Sequence, residues 1–403
     1  MNTLDRRTLK RVVAILCLTE ITSWGILYYA FPVLAPAIMD TTGWAPSAVT
    51  GGFSVSLVTA ALVGIGVGRS IDRFGPRPVM TAGSILATPA IVAVAYAPTY
   101  PLYLAAWVVT GAATSALLYP PAFAALTHWG GADRIRALTV VTLVGGLAST
   151  VFAPIVAALE QWLGWREAYV VLAGILAVIT IPAHWFGLRT SWERADRGPA
   201  EASVDEHARA VWRSRSFVVL LFAMSAAALC VYAAVVNLVP LLLERGLSGF
   251  EAAIGLGLGG VGQVCGRLGY AWFAARTTPG TRSALIFGAV AATTLLMAVL
   301  PGPMLVLFAA SVLSGASRGV FTLIQATAVS DRWGTLNFGR LNGVMLAPVM
   351  LATAAGPWAG SILAETLGSV ASAFLVLAAF AVVAALLVPW TLPRQVRRSV
   401  PPG

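Results

Sequence analysis

The chain has 403 residues, of which 58% are hydrophobic and 10% are charged, and its mean hydropathy is +0.84. Because soluble domains carry about 25% charged residues, this composition excludes a soluble globular protein and predicts a surface that faces lipid. The net charge of +10 does not indicate nucleic-acid binding, because 22 of the 26 Lys and Arg residues fall in loops and tails on one predicted side of the membrane. Only Arg166 and Arg245 fall on the other side, so the positive-inside rule predicts a multi-pass protein of the cell (inner) membrane with both termini in the cytoplasm.

Twelve segments along the chain are long and apolar enough to cross a bilayer, for which about 20 residues are needed. They lie at about 12–38, 47–69, 79–97, 101–127, 137–160, 167–188, 216–243, 252–275, 284–301, 304–328, 341–364 and 368–391. The longest polar interval, 189–215, carries mixed charges typical of a solvated tether. The sequence therefore predicts an all-α membrane protein with an N-terminal six-helix half (1–188), a cytoplasmic linker (189–215) and a C-terminal six-helix half (216–403).

The two halves are predicted to be related by a parallel repeat. Gly111-Ala112, Trp129-Gly130 and Arg136 recur as Gly315-Ala316, Trp333-Gly334 and Arg340, all at an offset of 204 residues. Each pair lies in the fourth helix of its half or in the loop just after it. Together with the central linker, these pairs favour two pseudo-symmetric six-helix halves.

The second and third predicted helices are joined by the charged loop GRSIDRFGPRP, residues 68–78. Gly75, followed by two prolines, predicts a tight turn, and Gly68 is expected to allow a close approach of two helices. Asp72 is expected to pair with Arg73, with Arg77 or with another loop. These features predict a hairpin that can lock and release.

The pattern Gly-x-x-x-Asp-Arg-x-Gly-x-Arg resembles the loop between the second and third helices of the major facilitator superfamily. The resemblance implies a transporter fold and a conformational lock, in which the aspartate holds the outward-open state and is released on opening inward. The alternative is that the arginines of this loop only determine topology. The corresponding loop of the second half, 266–282, lacks the second glycine and the aspartate, so we expect the first half to dominate the lock.

Three ionisable residues lie inside predicted helices, namely Glu20, Arg267 and Arg318. A charge near a helix centre costs about 2.5–3.5 kcal/mol on insertion scales, so each of them needs a physical reason. At a rise of about 1.5 Å per residue, all three lie roughly 10–15 Å from the cytoplasmic ends of their helices. The sequence therefore predicts that they meet in one cavity.

Polar and aromatic side chains accompany these charges at helical spacing. They are Trp24 and Tyr28 in the first helix, Asn237 in the seventh, Gln263 in the eighth, and Ser311, Ser314, Thr322 and Gln325 in the tenth. Of these, Trp24, Tyr28, Asn237, Gln263 and Gln325 are predicted to contact the substrate. We predict that Arg267 and Arg318 bind an anionic substrate, because the guanidinium fork matches a carboxylate. Glu20 is predicted to accept protons, because low dielectric disfavours a charged carboxylate. The alternatives are a structural ion pair between Glu20 and one arginine, and an Arg267 that reaches the inner membrane surface.

Four further segments resemble the monocarboxylate and oxalate–formate branch of the same superfamily: Ser23–Tyr29, Arg134-x-Arg136-Ala137, Gly164-Trp165-Arg166 and Asn337–Gly343. The resemblance implies a substrate-binding role for the arginine of the eighth helix, here Arg267. The branch expects an acid about one turn before it, where this chain has Gln263, so the proton coupling is expected to rest on Glu20. The expected protein is a monomeric, proton-coupled secondary transporter of a small organic anion, with no enzymatic activity and no cofactor.

The second hypothesis is export of toxic compounds, either amphipathic drugs or trivalent metalloids. Cys17, Cys230 and Cys265 lie in the first, seventh and eighth predicted helices, and converging thiols would suit a soft ion such as arsenite. The alternative is that these cysteines are small packing residues. Uptake and export remain open at this point.

Overall fold

The computed structural model describes residues 4–192, 209–334 and 338–393, and almost all of them are helical. Most of the predicted linker 189–215 lies outside the described residues, as does Asn337 of the motif Asn337–Gly343.

Twelve helices of membrane-spanning length follow one another in the described chain. They are α1 (Arg6–Thr42), α2 (Pro46–Phe74), α3 (Pro76–Ala95), α4 (Tyr100–Trp129), α5 (Gly131–Leu163), α6 (Trp165–Gly187), α7 (Arg215–Val236, continued by Leu238–Glu244), α8 (Gly249–Arg276), α9 (Pro279–Val299), α10 (Met304–Thr327), α11 (Phe338–Leu367) and α12 (Val370–Thr391). All except α8 are apolar enough to cross a membrane by composition. The 28-residue α8 is long enough, but it is rich in glycine and carries Arg267. The predicted all-α architecture of twelve helices of membrane-spanning length is confirmed.

Single glycines set the sharpest helix hairpins. Gly75 has a φ of +81° and Gly164 a φ of +84°, conformations that residues with a side chain rarely adopt. At the first hairpin, α2 ends at Phe74 and α3 begins at Pro76, whose fixed φ suits the first position of a helix. The tight turn predicted at Gly75 is therefore present.

Several of these helices are interrupted within the membrane span. The residues Gly25–Tyr29 of α1 form a π-helical turn, a local widening that is frequent at functional sites. Close packing occurs at its first residue, because a Cβ on Gly25 would lie 2.2 Å from the Phe152 ring of α5. Helix α4 breaks between Thr114 and Tyr119, and α7 breaks at Asn237.

The described helices pack into two compact units. The first joins Met1–Asp196 with Leu238–Val261, and the second joins Arg197–Asn237 with Gly262–Gly403. This grouping differs from the predicted halves in residues 238–261. The hydroxyl of Thr150 in α5 donates to the carbonyl oxygen of Gly257 in α8 at 2.8 Å. A Cβ on Gly260 would lie 2.4 Å from Ser149 Oγ, so small residues let α8 begin in close contact with α5.

In the first unit, the N-terminal part of α1 is packed in a hydrophobic cluster. This cluster joins Leu9, Val12 and Leu16 of α1 to Met80 of α3, to Ala122, Ala125, Leu126 and Trp129 of α4, to Ala137 and Val141 of α5, and to Leu188. The packing fixes the rotation of α1 about its axis. It therefore determines which way Glu20, one turn beyond Leu16, points.

Candidate functional site

Glu20 lies inside the first unit and is fully buried, with a relative exposure of 0%. Neither carboxyl oxygen makes a hydrogen bond of normal geometry within the described part of the chain, and the Trp24 side chain lies beside the group. Ser23 Oγ is also buried without a hydrogen bond there. The residue does not face lipid. A carboxyl group with so few polar contacts is poorly solvated when charged, which is the property that proton exchange requires.

The aromatic face predicted beside Glu20 is present. The Trp24 ring lies 5.4 Å from that of Tyr28, and Tyr28 lies 5.3 Å from Phe53 of α2. Two rings that the sequence reading missed extend this face from α4. Tyr119 lies 5.0 Å from Trp24, and Phe123 stacks on Tyr119 at 5.1 Å. No spacing signal marked these two rings, because they follow the break in α4.

In the second unit, α8 and α10 touch through their backbones. A Cβ on Gly262 would lie 2.0 Å from the carbonyl oxygen of Val312, and one on Gly266 would lie 2.4 Å from that of Ala316. From the other side, a Cβ on Gly319 would lie 2.2 Å from the carbonyl oxygen of Gln263. Such an approach is possible only where side chains are absent. A similar contact occurs in the first unit, where a Cβ on Gly111 of α4 would lie 2.2 Å from the carbonyl oxygen of Ser56 in α2.

The glycine contact brings the predicted anion-binding residues onto one helix pair. Arg267 of α8 is half-buried, and its Nη2 donates to Thr322 Oγ1 of α10 at 3.3 Å. Arg318 lies one turn before Thr322 and is only 6% exposed. Gln263 and Gln325 are buried on the same two helices. Arg267 and Arg318 therefore lie on two helices that are in direct backbone contact, which no spacing rule within either helix could show.

Asn237 makes structural contacts that the sequence did not predict. Its Nδ2 donates to the carbonyl oxygens of Ala233 at 2.9 Å and Pro357 at 3.3 Å, and its Oδ1 accepts a 2.9 Å hydrogen bond from Ser361 Oγ. The amide is thus used to join the break in α7 to α11. Both amide donors are engaged, which supports a structural role for Asn237, and its predicted contact with a substrate stays a prediction.

Replacing Asn237 with leucine is expected to lower thermal stability without changing substrate affinity. The variant leaves the Ser361 hydroxyl and the Pro357 carbonyl buried without their partner, at about 1–3 kcal/mol for each group. Ser361→Ala, which removes one of the three bonds, should cost less. Unfolding midpoints in detergent and the KM for uptake test this prediction. A large rise in KM at unchanged stability would support the predicted substrate contact.

The three cysteines do not form a metalloid site. Cys230 is buried and its Sγ–H donates to the carbonyl oxygen of Leu377 at 3.1 Å, whereas Cys265 is exposed and Cys17 half-buried. Among the described residues, no group of three or more His, Cys, Asp or Glu side chains could hold a metal ion. The metalloid hypothesis from the sequence therefore has no cluster on which to rest.

The loop 68–78 differs in two respects from the expected lock. Gly68 allows no close helix approach in this structure, since a Cβ there would have no neighbour within 4 Å. Arg77 engages α6, because its Nε donates to the carbonyl oxygen of Trp185 at 2.8 Å and its guanidinium lies 4.2 Å from the Trp185 ring centroid. Asp72 is exposed, and its backbone carbonyl accepts a 3.2 Å hydrogen bond from Trp192 Nε1.

The second unit has its own charge cluster at the matching position. Arg282, at the start of α9, forms an ion pair with Asp331, which lies in a short helix after α10. Next to it, Arg332 is buried and its Nη2 donates to Ser283 Oγ at 3.0 Å and to Thr391 Oγ1 at 3.1 Å. Burial lowers the pKa of Arg332 to about 10, so it stays charged at neutral pH. Asp331 therefore provides a carboxylate for Arg282 at the end of loop 266–282, a contact that the sequence did not predict.

Comparison with known proteins gives consistent results. Residues 16–306 match the family model described as Major Facilitator Superfamily. Monocarboxylate transporter 11 of Mus musculus is 24% identical over 324 residues, which cover 78% of this chain and 72% of the relative. The crystal structure of the nucleoside transporter NupG has a TM-score of 0.77 at 13% identity and covers 94% of this chain and 98% of that chain. A bacterial homologue of the human lysosomal transporter Spinster, in an inward-facing and unoccupied conformation, has a TM-score of 0.69 at 17% identity over 96% of this chain and 97% of that chain.

Proposed function

The chain belongs to the Major Facilitator Superfamily, and we propose that this transporter moves a small organic anion, of the monocarboxylate type, together with protons by alternating access. Its relatives are transporters, so the activity is movement of a solute and not catalysis. We place it in the cytoplasmic membrane with both termini in the cytoplasm, on the charge distribution of its loops. That it acts as a monomer is an expectation from the family.

The observation that carries the anion assignment is the pair of arginines on α8 and α10. Arg267 donates to Thr322 one turn beyond Arg318, so the two arginines lie on helices that are in direct contact. In low dielectric, an anion with two carboxylate oxygens stabilises such a pair far better than in water. Each fork can donate two parallel hydrogen bonds to a carboxylate. The similarity to a monocarboxylate transporter supports the same class of substrate.

Glu20 is proposed to bind and release the coupled proton. It is fully buried next to Trp24, and a charged carboxylate in such surroundings is costly. The group is therefore expected to be neutral in one state of the cycle and to lose its proton in a state in which water reaches it. The loop 68–78 is assigned the conformational lock, with Asp72, Arg73, Gly75 and Arg77 as its polar and turn-forming residues. Gly68 is proposed to allow a close approach of two helices only in a conformation of the transport cycle other than this one.

Replacing Glu20 with glutamine is expected to abolish accumulation driven by a pH gradient while leaving exchange of substrate across the membrane. Glutamine keeps the size of the side chain but cannot release a proton, so the coupling is lost and the pathway remains. Uptake and counterflow of a labelled carboxylate in proteoliposomes measure the two activities separately. Glu160→Gln, at the end of α5, is the matched control. Accumulation in Glu20→Gln equal to that of the unchanged protein would rule out this role.

No feature of the described residues favours the drug-export alternative over uptake. The metalloid version is not retained, because no group of three or more metal-binding side chains occurs among the described residues.

A further inference from the structure

A cavity of about 370 Å³ lies in the first unit, between the loop 68–78 and the ends of α4 and α6. Its walls include Phe74, Arg77, Trp129, Trp185, Thr190 and Trp192. The proposed lock uses Gly75 and Arg77 of its wall, but the transport mechanism places no ligand in this space. It combines aromatic walls with a single cation, which is the composition of a site for an amphipathic anion.

Arg77 is oriented by its neighbours and retains donors for a ligand. Its Nε is used by the carbonyl oxygen of Trp185, and its guanidinium plane lies over the Trp185 ring. Among the described residues, its two Nη nitrogens make no hydrogen bond that would compete with a ligand. The hydroxyl oxygen of Thr190, on the same cavity wall, is buried and has no hydrogen-bond partner in that part of the chain. A phosphate oxygen could satisfy both groups.

Trp192 closes the cavity on the side away from α6. Its ring stacks on His128 at 4.0 Å and meets Trp129 edge-on at 5.6 Å. A Cβ on Gly75 would lie 3.0 Å from this ring, so the hairpin glycine and Trp192 are in direct contact. The Nε1 of Trp129 donates to the carbonyl oxygen of Ser191 at 3.1 Å, which holds this wall in place. The cavity is therefore a built feature with rigid walls.

The surroundings of the cavity resemble a membrane interface. Phe74, Trp185 and Phe186 are 57%, 43% and 60% exposed. Arginines cover all three rings, since Arg77 lies over Trp185, Arg73 lies 5.0 Å from the centroid of Phe74 and Arg189 lies 4.9 Å from that of Phe186. Aromatic rings concentrate at membrane interfaces, and basic pockets between helices on the cytoplasmic side attract anionic headgroups.

We propose that this cavity binds an anionic phospholipid of the cytoplasmic leaflet. Arg77 and Thr190 bind the phosphate group, and Trp185 packs against the glycerol backbone. Exposed apolar side chains continue from the cavity along the neighbouring helices, namely Ile85 and Leu86 on α3 and Val178 on α6. A free phosphate ion would gain nothing from these surfaces, whereas acyl chains cover them. This continuity favours a lipid over a soluble phosphate compound.

The test is lipid binding to the purified full-length protein in detergent, followed by native mass spectrometry and thermal unfolding. Phosphatidylglycerol is expected to remain bound and to raise the unfolding midpoint, whereas phosphatidylcholine is not. Arg77→Ala is expected to weaken phosphatidylglycerol binding by about tenfold, because charge-assisted hydrogen bonds are lost. Arg77→Lys should be intermediate. Thr190→Val gives a second, milder variant if Arg77→Ala fails to fold.

Arg276→Ala is the matched control, because Arg276 makes the same kind of stack on Trp272, at 4.4 Å, in the second unit. This variant is expected to bind phosphatidylglycerol like the unchanged protein. Equal loss in Arg276→Ala and Arg77→Ala would overturn the proposal in favour of general surface charge. Glycerol phosphate binding as tightly as the lipid would overturn it in favour of a soluble ligand, and equal binding of phosphatidylcholine would remove the role of the headgroup charge.

Discussion

Replacing Arg267 or Arg318 with alanine is expected to lower carboxylate uptake by at least about 100-fold, because a buried anion left without its cationic partner loses several kcal/mol. The two residues lie on α8 and α10, which are joined by the hydrogen bond from Arg267 to Thr322. If both guanidinium groups bind the same anion, neither single variant should keep substantial uptake. Lysine at either position retains the charge but not the planar fork, so we expect partial activity.

Proteoliposomes loaded with one labelled carboxylate provide the measurement, with protein amount and orientation matched between variants. Arg276→Ala is the control on the same helix, since Arg276 is exposed and stacks on Trp272. Full uptake by both Arg267→Ala and Arg318→Ala would refute the anion-binding proposal. Loss of uptake in only one variant would show that this arginine binds the anion. The other arginine would then have a structural role in the helix pair.

Introducing a methyl group at Gly262 or Gly319 is expected to cost about 1–3 kcal/mol of stability, or more, and to displace Arg267. A Cβ would lie 2.0 Å from the Val312 carbonyl oxygen in the first variant and 2.2 Å from the Gln263 carbonyl oxygen in the second. These neighbours are backbone atoms, which cannot move aside as a flexible side chain can. The helices must therefore separate, and the Arg267–Thr322 hydrogen bond lengthens with them.

Gly269→Ala is the control for this second prediction. Gly269 lies in the same helix, and a Cβ there would have no neighbour within 4 Å. Because alanine favours a helix more than glycine does, this change should be neutral or slightly stabilising. Unfolding midpoints in detergent compare the variants, and uptake shows whether the displaced arginine also loses function. Equal stability of Gly262→Ala and Gly269→Ala would show that α8 and α10 are not packed as described.

Several elements followed from residue chemistry without any knowledge of packing. The cost of charge in a bilayer predicted that Glu20 and Arg318 would avoid lipid, and both are buried. The hairpin at Gly75 followed from a glycine before proline, and its positive φ confirms the expected turn. In each case a local rule, either a solvation energy or a backbone preference, was sufficient.

Other contacts could not be predicted because the partner lies far away in the chain. Asn237 carries an amide that could bind a substrate, yet this amide forms hydrogen bonds with Pro357 and Ser361 of α11. Arg77 was one of several partners expected for Asp72, and its contact with Trp185 of α6 was not predicted. A hydrogen-bond donor can bond to any suitable acceptor. Which acceptor it meets therefore depends on which helices are neighbours.

The sequence by itself determined the class of this protein, its twelve helices and the buried position of its costly charges. Each of these depends on the free energy of transferring single residues from water to lipid, which can be read from the residue type. Only the tertiary structure decided that Arg267 reaches α10, that Tyr119 extends the aromatic face, and that Asp331 provides a carboxylate for Arg282 in the second unit. Those pairings depend on helix rotation and close backbone contact at glycines. Many side chains far apart in the chain set these two quantities jointly, so no local pattern encodes them.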